Sequence, residues 1–276
     1  MKTKKIPIKS EADIKAMIEG GEKLGKIISF LVSWTKSGMT GLDIERKACE
    51  LIKQAGGEPS FKKVPGYRWA TCICVNDCVV HGVPDDTPFR EGDVIGIDIG
   101  MYYKGFHTDT SWTKQIKNQK SNLPDACLPA KQGKAGLKTT TKNKEVDEFL
   151  KTGELALKKA IEQVKPGNRI GHLSKSIQET IEGQGCSVVR ELIGHGVGKN
   201  LHERPEIPGN LNKPLEKTPI LKPGMVLAIE VIYNLGKPDI YIDPKDGWTV
   251  RTKDGKISAL FEKTVAVVAG GFLVLT

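Results

Sequence analysis

No apolar run in the 276 residues approaches the roughly 18 needed to cross a bilayer, so no membrane-spanning helix is expected. The start, Met1 to Ser10, is basic and lacks the apolar stretch of a secretory signal, which places the expected location in the cytoplasm. None of the six cysteines forms a CxxC pair. Three of them crowd together with a histidine in Cys72-Ile-Cys74-Val-Asn-Asp-Cys78-Val-Val-His81, but the spacing departs from structural zinc knuckles. Buried, reduced strand cysteines are the expected account. Acids are almost missing from one stretch. Between Lys114 and Lys144 there are eight lysines and a single acid, Asp125, which supplies +7 of the formal +9. The remaining +2 is spread over the rest, so the basicity is a local arm and not a basic fold. Charged content of 27% and hydrophobic content of 38% suit a soluble globular enzyme.

What the chain does have is internal repetition. Glu91-Gly92-Asp93-Val94-Ile95-Gly96-Ile97-Asp98 lines up with Pro223-Gly224-Met225-Val226-Leu227-Ala228-Ile229-Glu230, an offset of 132. In both, a turn glycine leads into an apolar strand that ends on an acid. Upstream, a helix repeats at an offset of 129: Gly38 matches Gly167, Ile44 Leu173, Ala48 Ile177, Ile52 Ile181 and Gly56 Gly185. A short echo comes after it, His81-Gly82-Val83 against His195-Gly196-Val197. A capping box at Ser10-Glu11-Ala12-Asp13 opens a first amphipathic helix, and a second runs from about Leu42 to Gln54. The chain therefore divides into halves of about 1–113 and 150–276, each with helices first and strands after. That order implies α+β architecture with mostly antiparallel pairing. The intervening 114–149 is expected to be a basic surface insertion, partly disordered: a solvated spacer or a contact for ribosomal RNA.

A carboxylate buried in apolar surroundings is costly unless paired or metal-bound. Asp98 and Asp109 flank a segment whose midpoint lies between Tyr103 and Lys104, beside Gly105. A hairpin there is expected to set Asp98 opposite Asp109 on one sheet face. The second half has Glu230 at the counterpart of Asp98, and Glu262 interrupts another apolar strand. Two unit charges ~4 Å apart at an effective dielectric near 20 repel by about 4 kcal/mol, so four converging carboxylates need cations between them. Hard oxygen ligands suit manganese, iron(II), cobalt or zinc. A lone strand acid is more simply a solvated outer-face residue, but four in symmetric positions favour a shared metal site. Of the five histidines, His195 sits in Ile193-Gly194-His195-Gly196-Val197-Gly198, where glycines allow close approach to a ligand. His202 comes seven residues later. His172 is expected on a solvent-facing helix surface without a role. For His107, outer-shell support and plain packing both stand open.

Gly194-His-Gly-Val-Gly-Lys-Asn-Leu-His202-Glu-Arg-Pro205 resembles the methionine aminopeptidases, as do the Asp98/Asp109 hairpin, Lys222-Pro-Gly-Met-Val-Leu-Ala-Ile-Glu230 and Phe261-Glu262-Lys-Thr. His81-Gly-Val-Pro84-Asp85 and Asp246-Gly-Trp248-Thr-Val add to the likeness, which spans nearly the whole chain apart from the insertion. Only 35 residues separate His195 from Glu230, which is similar to the type I branch of that family. The resemblance implies a single pita-bread domain over 1–276, with a curved sheet covered by helices. It also implies two divalent metal ions: His195 and Glu230 on one, Asp98 on the other, and Asp109 and Glu262 bridging. Glu230 is then the proton carrier, and His81 and His202 bind the substrate amide and the oxyanion. Tyr67, Cys72, His81 and Trp248 line the pocket for an unbranched thioether side chain; without the family, Tyr67 and Trp248 read as core.

Departures from the family's pattern are Leu201 and Val64 where aromatics are usual, Lys263 for histidine, Val231 for proline and Leu260 for glutamine. The implied activity is removal of the initiator methionine from nascent chains and peptides with a small second residue. The implied partners are those substrates and no membrane; a monomer is expected. Two alternatives stand beside it: a proline-directed peptidase of the same fold, and a non-catalytic pita-bread protein that contacts nucleic acid through its basic arm.

Overall fold

The computed structural model describes residues 5–117 and 135–276. The first half holds α1 (Glu11–Trp34), α2 (Gly41–Gln54), β1 (Glu58–Pro59), β2 (Thr71–Val75), β3 (Cys78–Val80), β4 (Val94–Tyr103) and β5 (Phe106–Gln115). The second opens with α3 (Ala135–Glu162) and α4 (Ile170–Glu182), then β6 (Ser187–Val188), β7 (Ile193–Gly196) and β8 (Glu203–Pro208). It ends with β9 (Val226–Asn234), β10 (Ile240–Ile242), β11 (Val250–Thr252), β12 (Ser258–Val268) and β13 (Gly271–Val274).

Local chemistry sets the helix starts. Ser10 and Asp13 cap α1 reciprocally, with Asp13 N–H donating to Ser10 Oγ at 3.2 Å and Ser10 N–H to Asp13 Oδ2 at 3.0 Å. Thr40 and Asp43 do the same for α2. The α4 counterpart of Asp43 is His172, whose Nδ1 accepts from Arg169 N–H at 2.9 Å. His172 thus has a capping role in place of the roleless, solvent-facing position expected for it.

The main sheet runs β1-β4-β5-β12-β9-β7-β8, with β2 added on β4, β6 on β9 and β13 on β12. Its pairings among the described residues are antiparallel, in line with the α+β expectation. Period-two alternation divides its faces. Ile95, Ile97, Ile99 and Met101 of β4 pack with α1 and α2. Leu227, Ile229, Val231 and Tyr233 of β9 pack with α3 and α4. The residues between them, including Asp98 and Glu230, face the other way. No helix among the described residues is long and apolar enough to cross a membrane.

The duplication is physical. Ile44, Ala48 and Ile52 of α2 and Leu173, Ile177 and Ile181 of α4 are all fully buried. Gly38 and Gly167 adopt φ of 84° and 90°, a left-handed conformation that favours glycine, and each precedes its helix at the same place. Isolated bridges Thr40–Pro88 and Arg169–Ile220 then pin the two helix starts equivalently.

Two expectations need correction. The hairpin turns at Lys104-Gly105, where φ is 48° and 89°, one residue later than the midpoint of the two acids. Asp98 therefore pairs with Ser111, and Asp109 with Gly100. The acids are diagonal neighbours on one face, not opposite. The surface stretch is also shorter than 114–149. Lys114 and Gln115 belong to β5, the chain is helical from Ala135, and Val146 and Phe149 are buried in the core. Residues 118–134, the middle of the expected arm, lie outside the described residues.

The packing of α3 on the sheet gives a stability prediction. A Cβ on Gly153 would meet Tyr233 Oη at 2.5 Å and the Phe261 ring at 2.6 Å, both on the fully buried inner layer. Alanine gains about 1 kcal/mol of helix propensity over glycine, but overpacking a rigid core costs about 1–3 kcal/mol. The clash is expected to win, so Gly153→Ala should lower the denaturant midpoint; a raised midpoint would show that α3 can lift.

Candidate metal centre

Backbone register brings the acids together. One row crosses five strands of the sheet: Cys72 on β2, Asp98 on β4, Ser111 on β5, Glu262 on β12 and Glu230 on β9. Asp109 is on the same face of β5, two residues from Ser111. His195 reaches that face from β7, where it pairs with Ala228, two residues from Glu230. Small Ser111 in mid-row leaves Asp98 and Glu262 room to lean inward, and its own hydroxyl has no hydrogen-bond partner among the described residues.

The β5–β12 seam between the halves is stitched largely by threonine hydroxyls. Thr110 Oγ1 donates to Glu262 O at 2.9 Å, Thr113 Oγ1 to Leu260 O at 2.7 Å and Thr264 Oγ1 to Asp109 O at 2.7 Å. The two bridging-candidate acids, Asp109 and Glu262, are thus fixed by backbone bonds beside each of them. Sequence reasoning missed these threonines, because a hydroxyl replacing a ladder bond leaves no periodic signature.

Ligand atoms of Asp109, His195 and Glu262 lie within 4.8 Å of one another, and these residues are only 5%, 7% and 2% exposed. Glu230 Oε1 joins them 3.3 Å from His195 Nε2. Asp98 Oδ1 and Glu262 Oε1 are buried with no hydrogen-bond partner among the described residues. Buried carboxylate oxygens without donors are what a cation site presents, and an all-oxygen set completed by one imidazole suits divalent first-row metals. The residues fit such ions. Among the described residues no cysteine enters this group; those at 72, 74, 78 and 186 are buried free thiols.

Electrostatics point the same way. Burial, then Asp109 and Glu230, holds Asp98 well above the usual carboxylate range. Burial and the same neighbours do so for Glu262. Burial pushes Asp109 up to about 7, with His195 opposing and Glu230 adding. For His195 burial works downward, but the hydrogen bond and charge of Glu230, with Asp109, raise it overall. Between about pH 4 and 7 the cation-free fold therefore holds protons that its unfolded chain has released, and its stability falls as pH rises. A divalent ion removes that penalty, because its ligands bind deprotonated. The melting temperature of metal-loaded protein minus that of chelated protein should therefore grow from pH 5 to pH 7.5. A difference constant over that range would contradict the carboxylate cluster.

The expected site residues all line one cavity of about 140 Å³: Asp98, Asp109, His195, Glu230 and Glu262 on its floor, with His81, His202, Tyr67, Cys72 and Trp248 around them. Phe61, Val64, Val80 and Leu201 complete the wall. Tyr67 meets Trp248 edge-on at 5.1 Å, and burial keeps its phenol protonated. Trp248 is set by Asp246, which accepts from the N–H of Trp248 and Thr249, each at 2.8 Å. The cavity opens into a cleft of about 720 Å³ that also touches His81, His195, His202 and Glu230.

His81 stands at φ 57°, a left-handed conformation rare for a side-chain-bearing residue and often found at functional sites. Its surroundings lower its imidazole, with Glu230 pulling the other way. His202 packs on His195 at 4.5 Å between ring centroids. Although His202 is exposed, desolvation of its ring by the cavity wall and the nearby His195, His81 and His107 lower it to about 4. His107 does not line the cavity; its Nδ1 lies 2.8 Å from Ser60 Oγ. The His202 loop is anchored by a buried ion pair, Lys9 Nζ to Glu203 Oε2 at 2.6 Å, that ties the N-terminal segment to it. Among the departures, Val64 and Leu201 face the cavity, whereas Lys263 turns to the helix side and lies 5.5 Å from the Trp112 ring.

Comparison with known proteins identifies the family. The chain is 37% identical to methionine aminopeptidase 1 of Bacillus subtilis over 269 residues, covering 97% of this chain and 98% of that protein. The crystal structure of methionine aminopeptidase from Thermotoga maritima superposes with a TM-score of 0.86 at 33% identity, covering 99% of both chains. Prolidase from Pyrococcus furiosus shares the fold at a TM-score of 0.70 and 23% identity, and this chain spans 65% of its length. The pattern of metallopeptidase family M24 matches residues 15–269, and the chain belongs to that family.

Proposed function

We propose that this chain is a metal-dependent aminopeptidase of type I that removes the N-terminal methionine from peptides and nascent proteins with a small second residue. The observation that carries the reading is the shared cavity. Four carboxylates and one imidazole from both halves meet on its floor, and an aromatic and sulfur-lined recess adjoins them. Two divalent ions, from manganese, cobalt, iron(II) or zinc, would be held by Asp98, Asp109, His195, Glu230 and Glu262. When bound, such ions supply Lewis-acid polarisation and bring the pKa of water from about 15.7 to about 7.

The chain's own side chains supply the other functions. Tyr67, Cys72 and Trp248 take the methionine side chain, with sulfur–aromatic contacts worth about 0.3–1.5 kcal/mol. His81 and His202, neutral near pH 7, hydrogen-bond the scissile amide and the oxygen on which negative charge develops. Glu230 moves the proton from the attacking water to the leaving amine. The cavity accepts one residue, and the wider cleft takes the remainder of the peptide. One catalytic domain over 1–276, monomeric and cytoplasmic, accommodates this.

The deciding assay is release of free methionine from Met-Ala-Ser with manganese or cobalt, its loss with chelator, and its return on adding metal. Peptides with proline or valine second, or with another first residue, separate this activity from proline-directed cleavage. Absence of release at any metal concentration would leave the non-catalytic alternative. For the basic segment we propose contact with ribosomal RNA. Co-sedimentation with ribosomes should weaken steeply with salt and on neutralising the lysines of 114–144; binding indifferent to both would refute that contact.

A further inference from the structure

Glu45 lies outside the cavity, on α2, yet the residue is only 5% exposed and its carboxylate is well provided with donors. Ala70 N–H donates to Oε1 at 2.8 Å and Oε2 at 3.0 Å. Thr71 N–H and Thr71 Oγ1 donate to Oε2 at 3.0 and 2.8 Å. Cys49 Sγ donates to Oε1 at 3.3 Å, and Lys62 Nζ stands 3.5 Å away. Ala70 and Thr71 are themselves fully buried, so no water replaces these bonds if they are lost.

The gripped residues immediately precede Cys72, which pairs with Asp98 in the metal row. The Thr71 carbonyl accepts the Tyr67 hydroxyl at 2.9 Å, and that hydroxyl lies 3.2 Å from Cys72 Sγ. Tyr67 and Cys72, two of the residues proposed to take the side chain, are therefore indexed to one carboxylate. Trp248 comes from the other half and is held independently by Asp246.

We propose that Glu45 is a positioning residue for substrate selection: by clamping Ala70 and Thr71 it fixes Tyr67 and Cys72 against Trp248 and sets the width of the methionine recess. This rests on the peptidase reading above. Glutamine at 45 keeps the shape but loses the charge and presents an amide N–H₂ where only acceptors fit. The test compares wild type, Glu45→Gln and Thr71→Val on Met-Ala-Ser and Leu-Ala-Ser, with manganese binding followed by calorimetry.

A misplaced recess wall should cost Glu45→Gln about tenfold in kcat/KM on the methionine peptide, mostly through KM, and lower the Met/Leu preference by a similar factor. Manganese affinity and stoichiometry should stay at the wild-type values. Thr71→Val, which removes one of the bonds, should shift the preference in the same direction by less, and it decides the matter if Glu45→Gln does not fold. Equal loss on both peptides, or an unchanged Met/Leu ratio, would overturn the proposal. A wild type that releases no methionine would instead defeat the peptidase reading.

Discussion

Asp109→Ala is expected to cut methionine release by at least ~10³-fold while leaving the cation-free protein folded, because one change removes both an ion ligand and a repulsive charge. Asp109 is the acid best placed for such an effect. It shares the 4.8 Å cluster with His195 and Glu262, and its backbone carbonyl is held by Thr264 across the seam between the halves. Burial raises its carboxyl to about 7, so the cation-free fold is strained by ionising it near neutrality. The variant should therefore melt at or above the temperature of chelated wild type, and lose the melting gain that manganese gives wild type. Asp109→Asn should resemble it, since an amide keeps the shape but not the charge. Near-normal turnover in either variant, or a metal-induced gain that persists in Asp109→Ala, would remove Asp109 from the centre.

His202→Ala is expected to lower kcat/KM by about 10²–10³-fold, the usual cost of one donor aimed at developing oxyanion charge. Unlike the first variant, it should keep its full metal complement. His202 lines the cavity outside the carboxylate cluster, and its ring packs on that of His195. With its imidazole lowered to about 4, it is neutral from pH 6 to 8 and donates an N–H without adding cation charge. The rate of wild type should show no step in that interval attributable to this group. His202→Gln, which keeps an N–H donor, should recover part of the loss. If His202→Ala instead releases metal, the residue belongs to the ion site and the assigned role is wrong.

Much of this site was legible in the sequence for a physical reason. An acid among apolar strand residues is costly unless compensated, so Asp98, Glu230 and Glu262 stood out against their neighbours, although β4 and β9 run on past the acids expected to end them. The repeated glycines were readable because their turns demand positive φ, which Gly38 and Gly167 adopt. Hairpin register was less legible. Gly105 takes the second turn position at φ 89°, and a one-residue change in turn centre moved the cross-strand partner of Asp98 by two residues without changing its face. The start of α3 was hidden by its composition, since the lysines and threonines before Val146 read as solvated chain while Val146 and Phe149 anchor the helix in the core.

Glu45 and the seam threonines were invisible for a different reason. Their hydrogen bonds reach across long sequence separations, as from Glu45 to Ala70 and Thr71 or from Thr110 to Glu262, and no local pattern encodes such contacts. His172 is the converse case. It looked like a spare surface histidine, and aligning it with Asp43 in the repeated capping position would have assigned it.

The most direct test is calorimetric titration of chelated, desalted protein with manganese(II), wild type beside Glu262→Ala. Two ions per chain in wild type, with both binding steps abolished or weakened by at least ~10²-fold in the variant, is the predicted result for a carboxylate shared between them. Binding of manganese that is indifferent to Glu262→Ala, or no binding in wild type, would contradict a centre built from both halves of the chain.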